Sequence, residues 1–433
     1  MSHYKRYPAY KDSELEWIGE IPEHWAIKPI KTIASCNDET LPDSIPPDTP
    51  IQYVDISAVS HDKGITDAEP MTFGDAPSRA RRKARVGDVI VSTVRTYLKA
   101  VAFVDETHAD CVYSTGFAVL RARREQLNPE YLKWLVLNEL LIQAIESHSE
   151  GLSYPAIKAS ELVNLKSVVP SLPEQQHIAS VLDHQTARID ALIAKKTRFI
   201  ELLNEKHSAL ITHAVTKGLN PNVKTKDSGV AWLGQVPEHW ELLRAKRLFS
   251  ERDERSTTGH EELLTVSHLT GVTPRVEKDV NMFEAETTEG YKICYAGDLV
   301  INTMWAWMGA MGTSRQTGLV SPSYNVYTPT DRLDPEFVDL FVRMSIFATE
   351  VKRFSKGIWS SRLRLYPEAF FEVEFPIPPR IEQQTIVAKV RLETNRINAL
   401  IEKTLRSIDL LKERRSALIT AAVTGQIDVR RSV

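Results

Sequence analysis

The sequence predicts an α+β protein built as a tandem duplication: an α/β globular domain followed by a long helix, written twice, with the two helices pairing as an antiparallel coiled coil. Three observations carry this. WIGEIPEHW at 17–25 returns as WLGQVPEHW at 232–240, with Lys11-Asp12-Ser13 and Lys226-Asp227-Ser228 ahead of them at the same offset. Four further motifs recur in the same order. Each copy ends in a long stretch of heptad-like apolar spacing.

The recurring motifs divide the chain into residues 1–172, a first helix at 173–219, residues 220–380, and a second helix with the C-terminal tail at 381–433. In each copy a strand follows a Gly-Asp turn signal, GDVIVST at 87–93 and GDLVINT at 297–303. A single amphipathic helix comes next. Asn128 and Asp334 are its N-caps, with proline and glutamate at the first two helical positions. Its apolar face is Tyr131, Leu135, Ile142 and Ile145 in the first copy, and Phe337, Leu340, Phe341 and Ile346 in the second. A proline-rich hinge then leads into Glu174-Gln175-Gln176 and Glu382-Gln383-Gln384.

The long helices are the strongest periodic signal. Positions 178, 182, 185, 189, 192, 196, 199, 203, 206 and 210 alternate steps of four and three, and Ile178, Leu182, Ile189, Leu192, Phe199, Leu203 and Leu210 are apolar. The second seam reads Ile386, Val390, Ile397 and Leu400, shifts phase near Thr404 like a stutter, and resumes at Ile408, Leu411 and Leu418. Each helix spans about 40 residues, or about 60 Å. Gly218 and Gly425 are the expected stops. A helix of that length with one apolar seam needs a partner, and the other copy is the simplest one.

Composition bounds the function. The chain has 433 residues, 42% hydrophobic and 26% charged, enough for two to four packed domains. No run of 18 apolar residues is present and the first residues lack a secretory h-region, so a cytoplasmic protein without a membrane segment is expected. Cys36, Cys111 and Cys294 are far apart and read as free thiols. P-loop, dinucleotide-cradle, zinc-protease and nucleophile-elbow motifs are all missing, so neither a catalytic residue nor a metal ligand is assigned. His24 and His239 occupy equivalent places in the repeat and read as structural, and Asp88 and Asp298 as turn residues. The net charge of −3 gives no global nucleic-acid footprint, although local patches set the field at a groove.

Two such patches stand out. In the first copy Arg79, Arg81, Arg82, Lys83 and Arg85 precede the strand, Arg95, Tyr97 and Lys99 follow it, and Ser153, Tyr154 and Lys158 lie in the HSEGLSYPAIK segment. In the second copy Trp305 lies in NTMWAWMGAMG, while Lys352, Arg353, Lys356, Trp359 and Arg362 lie in the segment aligned with HSEGLSYPAIK. Each residue alone is compatible with a solvated surface. Together they are candidates for phosphate and base contact.

The chain resembles the specificity subunit of Type I restriction–modification systems. The resemblance rests on the paired W-[IL]-G-x-[IV]-P-x-H-W openings, the G-D-[VL]-[IV]-[VI]-x-T strands, the hinge and E-Q-Q helix starts, and the S-A-L-I-T ends at 208–212 and 416–420. It covers residues 11–425. It implies two target-recognition domains, each reading half of a split double-stranded DNA site, with the helices as a ruler. Domains roughly 35 Å apart meet one face of DNA about a turn apart. It also implies two modification (methyltransferase) subunits and further restriction (motor-nuclease) subunits. S-adenosylmethionine, ATP and Mg would be bound by those partners and none by this chain. A stand-alone DNA-binding protein, an assembly scaffold, and an undetected nuclease or methyltransferase are the competing expectations.

Overall fold

A computed structural model describes residues 4–277, 287–357 and 363–432. The chain forms two compact units, Met1–Lys196 with Leu405–Val433, and Thr197–Thr404. Each unit therefore combines one globular copy, the start of its own long helix and the end of the other copy's helix.

The units repeat one topology. In the first, an antiparallel sheet runs Val101–Phe103, Val89–Ser92, Phe117–Ala122, Ala34–Cys36. In the second, the same order is Met311–Thr313, Leu299–Asn302, Tyr324–Pro329, Phe249–Arg252. The central strands Val89–Ser92 and Leu299–Asn302 are buried along their whole length, which explains their unbroken Val/Ile character. Each follows a glycine with positive φ, Gly87 at 93° and Gly297 at 95°. The first unit adds a sheet ordered Ala80–Lys83, Val112–Ser114, Pro50–Val54, Glu69–Thr72, in which the middle pair is parallel.

Asn128 Oδ1 accepts from the Tyr131 amide at 3.1 Å, and Asp334 Oδ1 from the Glu336 and Phe337 amides at 3.0 and 3.3 Å, so both predicted N-caps form. The predicted single helix is two. In the first unit Pro129–Val136 ends before Asn138, whose side chain caps Glu139–Ser147 through the Leu140 amide at 3.2 Å. The second unit breaks between Pro335–Val342 and Ser345–Phe354. Ile346 is exposed as a result and leaves the expected apolar face.

Leu172–Lys217 and Arg380–Val423 are the long helices, and Gly218 and Gly425 follow them with φ of 76° and 75°. Within each unit the two helix segments run in opposite senses. In the first, Ile178 and Leu182 share a core with Leu418 and Ile419, and Asp190 pairs with Arg415 at 3.1 Å. In the second, Ile386 and Val390 share a core with Ala214 and Val215, and His207 bonds Thr394 at 2.8 Å.

The seam differs from the predicted one at several positions. Ile178, Leu182, Ile189 and Leu203 are buried and Leu210 is partly buried, whereas Leu192 and Phe199 are 48% and 44% exposed. The alternate positions that face inward are one residue later: Thr186, Ile193, Ile200 and His207. In the second helix Ile386, Val390, Ile397, Ile408 and Leu418 are buried and Leu411 half-buried, but Leu400 is 45% exposed and Ile401 takes its place. With Ile401 in the seam, the run 397, 401, 404, 408, 411 keeps an even alternation through a buried Thr404, and no stutter exists. The physical reason is that the seam admits polar side chains whose hydrogen bonds are met. Thr186 donates to the Leu182 carbonyl and Thr404 to the Leu400 carbonyl, both at 2.7 Å, and His207 has Thr394. The isoleucines between them then fall in phase, and the adjacent Leu192, Phe199 and Leu400 sit on the flank.

The repeated motifs meet at the helix starts. Trp25 and Trp240 are buried, and His24 and His239 bond Glu174 and Glu382 at 3.0 and 2.8 Å, the structural role expected of them. Gln175 is fully buried. Its Oε1 accepts from the Asn128 amide at 2.8 Å, and its Nε2 donates to the Gln126 and Pro170 carbonyls at 3.0 and 2.9 Å. Gln383 repeats this with the Asp334 amide and the Arg332 and Pro378 carbonyls.

Gln383→Leu strands the buried Pro378 carbonyl and the half-buried Asp334 amide and should lower stability by about 1–3 kcal/mol. A lower urea midpoint for the intact chain, with faster amide exchange across Pro335–Val342, is the expected readout. Burial holds the His207 imidazole below its ordinary pKa. Its contribution is complete above about pH 6.5 and is lost as pH falls below that value, because the unfolded chain takes up a proton that the folded chain resists. His207→Asn should flatten that part of the pH dependence in urea melts between about pH 7.5 and 5.5.

Candidate nucleic-acid interface

Immediately after the central strand, both units turn through one 3₁₀ helix, Thr96–Leu98 in the first and Ala306–Met308 in the second. The backbone bonding is the same. Lys99 N donates to Thr96 O and Gly309 N to Ala306 O, at 2.9 and 2.8 Å. A second loop is stitched beside each turn, with Ile157 N bonding Thr93 O at 2.9 Å and Leu365 N bonding Thr303 O at 3.0 Å. Thr96 is buried and bonds Ser149, so only the flanking side chains project.

In the first unit those side chains are cationic and aromatic. Arg95 and Lys99 both occupy the left-handed region, with φ of 51° and 50°. Lys99 is ion-paired with Glu139, which holds its ammonium above the ordinary lysine range. The Arg95 guanidinium lies 5.1 Å from the centre of the Tyr154 ring and forms no ion pair among the described residues. Tyr97, Leu98, Leu152, Ser153 and Tyr154 are exposed around it. Lys158, on the same loop, reaches Glu161 at 3.5 Å.

In the second unit the equivalent surface is apolar. Trp305 is 49% exposed and stacks on Trp307 at 6.1 Å and 23°, with Met304 and Met308 exposed beside them. Lys352 approaches the Trp307 ring at 5.9 Å. Arg353 is tied to the buried Glu350 at 2.9 Å, and Lys356 pairs backbone to backbone with Arg364. Trp359 and Arg362 lie outside the described residues.

The basic run at 79–85 behaves differently from its appearance in the sequence. It forms the edge strand Ala80–Lys83 of the mixed sheet and the residues flanking it, and most of its charges are answered within the protein. Arg79 pairs with Asp55 at 2.8 Å, Arg81 with Asp43 at 3.8 Å, and Arg85 with Glu39 at 2.6 Å. Lys83 donates to the Asp110 carbonyl at 3.1 Å, and the half-buried Arg82 has its Nε shielded from solvent. The partners named for the run, Asp43, Asp55, Glu39 and the Asp110 carbonyl, thus belong to neither the turn that carries Arg95 nor the loop that carries Tyr154. Asp88 and Asp298 do hold their turns, through the Arg85 and Tyr295 amides at 2.7 and 2.8 Å. They also anchor Arg121 and Arg252, two buried-carboxylate partners with no motif of their own in the sequence. Trp307 and Met308 are recognisable in the sequence only as part of an unusual Trp/Met stretch. The three cysteines are free, and burial pushes the Cys294 thiol up to about 11. Among the described residues no acidic, histidine or cysteine cluster is arranged to hold a metal ion, and no helix is long and apolar enough to cross a membrane.

A duplicated unit thus presents one turn with two different side-chain chemistries, two surfaces of different character on one scaffold. Comparison with known proteins places it more closely. Residues 79–202 match the Type I restriction modification DNA specificity domain. A putative type I restriction enzyme MjaX specificity subunit from Methanocaldococcus jannaschii is 26% identical over 237 residues, 52% of this chain and 53% of that one. The type I restriction enzyme EcoDI specificity subunit of Escherichia coli is 20% identical over 293 residues, 61% of this chain and 62% of that one. The matched regions thus span about half to three-fifths of those relatives. The fold matches the HsdS subunit from Thermoanaerobacter tengcongensis with a TM-score of 0.54 at 21% identity, covering 96% of this chain and 100% of that one. A chain from a study of complex assembly and conformational transition in the type I R-M system gives 0.70 at 22% identity, covering 93% and 98%. The chain is thus similar in sequence to specificity subunits of type I restriction enzymes, carries their DNA specificity domain over residues 79–202, and shares its fold with an HsdS subunit.

Arg95→Ala should lower affinity for duplex DNA and reduce the slope of log K against log salt by about one. Titration of the assembled complex at several salt concentrations measures both.

Proposed function

We propose that this chain is the DNA-specificity component of a Type I restriction–modification complex. Each globular unit reads one half of a bipartite, asymmetric double-stranded target. The paired helices set the gap and provide the docking platform for two modification subunits, to which restriction subunits are added. The observation that carries this reading is the duplicated strand–turn unit, which keeps the same closing backbone hydrogen bonds and changes the side chains it presents. Two binding sites of different chemistry on one repeated scaffold suit an asymmetric target. A symmetric pair would suit a palindrome.

In this reading the chain catalyses nothing and binds no cofactor. S-adenosylmethionine, ATP and Mg belong to the partner subunits, and the chain's own residues bind and orient DNA. Phosphate contacts, such as the one expected of Arg95, fix register, and the exposed aromatic and apolar side chains of the turns distinguish bases. The chain would therefore determine where partner chemistry occurs.

Co-expression with the modification subunit in a host lacking adenine methylation, followed by sequencing for N6-methyladenine, tests the proposal. A split motif with an unspecified gap is the expected result, and exchanging residues 220–380 should change one half alone. A stable complex that methylates no defined motif would leave an assembly scaffold as the better reading.

A further inference from the structure

We infer that the Trp305–Met308 turn is the base-contacting element of the second unit, and that it reads its half-site through apolar contact with bases rather than through charge. The inference rests on the DNA-specificity reading above and assigns the chemistry of one half of it.

The equivalence of the two turns identifies the element. Ala306–Met308 and Thr96–Leu98 follow matched buried strands, close with the same backbone bonds and lie beside the same stitched loop. Any surface used for DNA by Arg95 and Tyr97 in the first unit therefore has Trp305 and Trp307 in its place in the second. The local charges set the mode of contact. Arg353 is neutralised by Glu350, so Lys352 is the cation at the edge of this patch, while four large apolar side chains occupy its centre. A stacked tryptophan pair, with Trp305 exposed and Trp307 half-buried, flanked by two exposed thioethers is costly to leave in water. Such a surface gains most against base faces and thymine methyl groups, where exposed aromatic and apolar side chains discriminate without forming ion pairs. Lys352 at its edge keeps the patch compatible with a polyanion, and DNA, the ligand of the specificity reading, is accordingly the occupant.

The test uses the full chain assembled with its modification subunit. The wild-type complex should define two half-sites in the methylated motif. Trp305→Ala should leave one half unchanged and accept additional bases in the other. Its affinity for a duplex carrying the wild-type motif should fall roughly tenfold, with the salt slope unchanged. Trp305→Phe, which keeps an aromatic face, should retain the motif. If Trp305→Ala lowers the melting temperature of the complex, Met308→Gln is scored by the same criteria. Unchanged base preference at every position of both halves overturns the inference. So does an affinity loss accompanied by a slope lowered by about one, which marks a phosphate contact. Absence of any split motif from the wild-type complex removes the underlying specificity reading instead, so the two failures are distinguishable.

Discussion

The structure depends on a buried side-chain amide at the start of each long helix. Gln175 and Gln383 each satisfy one amide and two carbonyls from the chain that leads into and out of the globular copy. Buried backbone polar groups without partners are expensive, so the glutamine fixes both the hinge and the N-cap segment against the helix. The neighbouring glutamate takes the histidine of the Pro-Glu-His-Trp motif, and the motif's tryptophan closes the core beneath it. The tip of a long helix completes each arrangement. Gly425 lies against Pro22 and Trp25, and Gly218 against Pro237 and Trp240, positions where a Cβ would meet a ring. The first unit needs the chain's last residues for this, and Tyr4–Lys5 pairs with Asp428–Ser432 at the same end. Motifs separated by about 150 residues in sequence thus act as one joint.

Much of this was legible because it repeats. Duplication exposed the strands, the N-caps, the glycine stops and the E-Q-Q helix starts, each of which keeps its residue type for a local physical reason. The helix seam was harder. Leu192, Phe199 and Leu400 each stand directly before an isoleucine, Ile193, Ile200 and Ile401, so two adjacent phases are apolar at the same turns. In the first helix the outward phase passes through Gln185 and Lys206 and the inward one through Thr186 and His207, so the two phases are equally apolar. The inward polar residues Thr186, His207 and Thr404 are acceptable at the seam only because each has a hydrogen-bond partner there, and that pairing is a property of the folded helices. Binary hydrophobicity cannot separate two phases when both carry apolar residues.

Charge was the least legible property. The run SRARRKAR has the composition of a phosphate-binding patch, but its partners Asp43, Asp55 and Glu39 lie well upstream in the chain and are invisible to a local window. Arg121 adds to the same effect: it and Arg85 share Glu39, whose carboxyl Arg121 in particular holds below the usual range. Exposed pairs of this kind contribute little stability individually, but they do remove free cations from the surface. A lone arginine facing an aromatic ring, such as Arg95 over Tyr154, carries more information about a ligand than a run of cations that mostly have carboxylates or carbonyls already.

The two turns also differ in what holds them. Gly309 adopts the left-handed conformation at no steric cost, whereas Lys99 adopts it with a side chain, and Arg95 does so at the other end of the same turn. Such backbone persists where surroundings over-determine it. Here the surroundings are the buried Thr96 bonded to Ser149 and the Lys99 pair with Glu139. The first unit therefore accepts conformational strain to aim a guanidinium, while the second relaxes the backbone and projects indoles instead. The bonds that pin both loops, Ile157 to Thr93 and Leu365 to Thr303, are backbone to backbone and indifferent to side-chain identity. A scaffold held by main-chain bonds can exchange the chemistry it presents without refolding, which is the physical requirement that the proposed recognition of two different half-sites places on it.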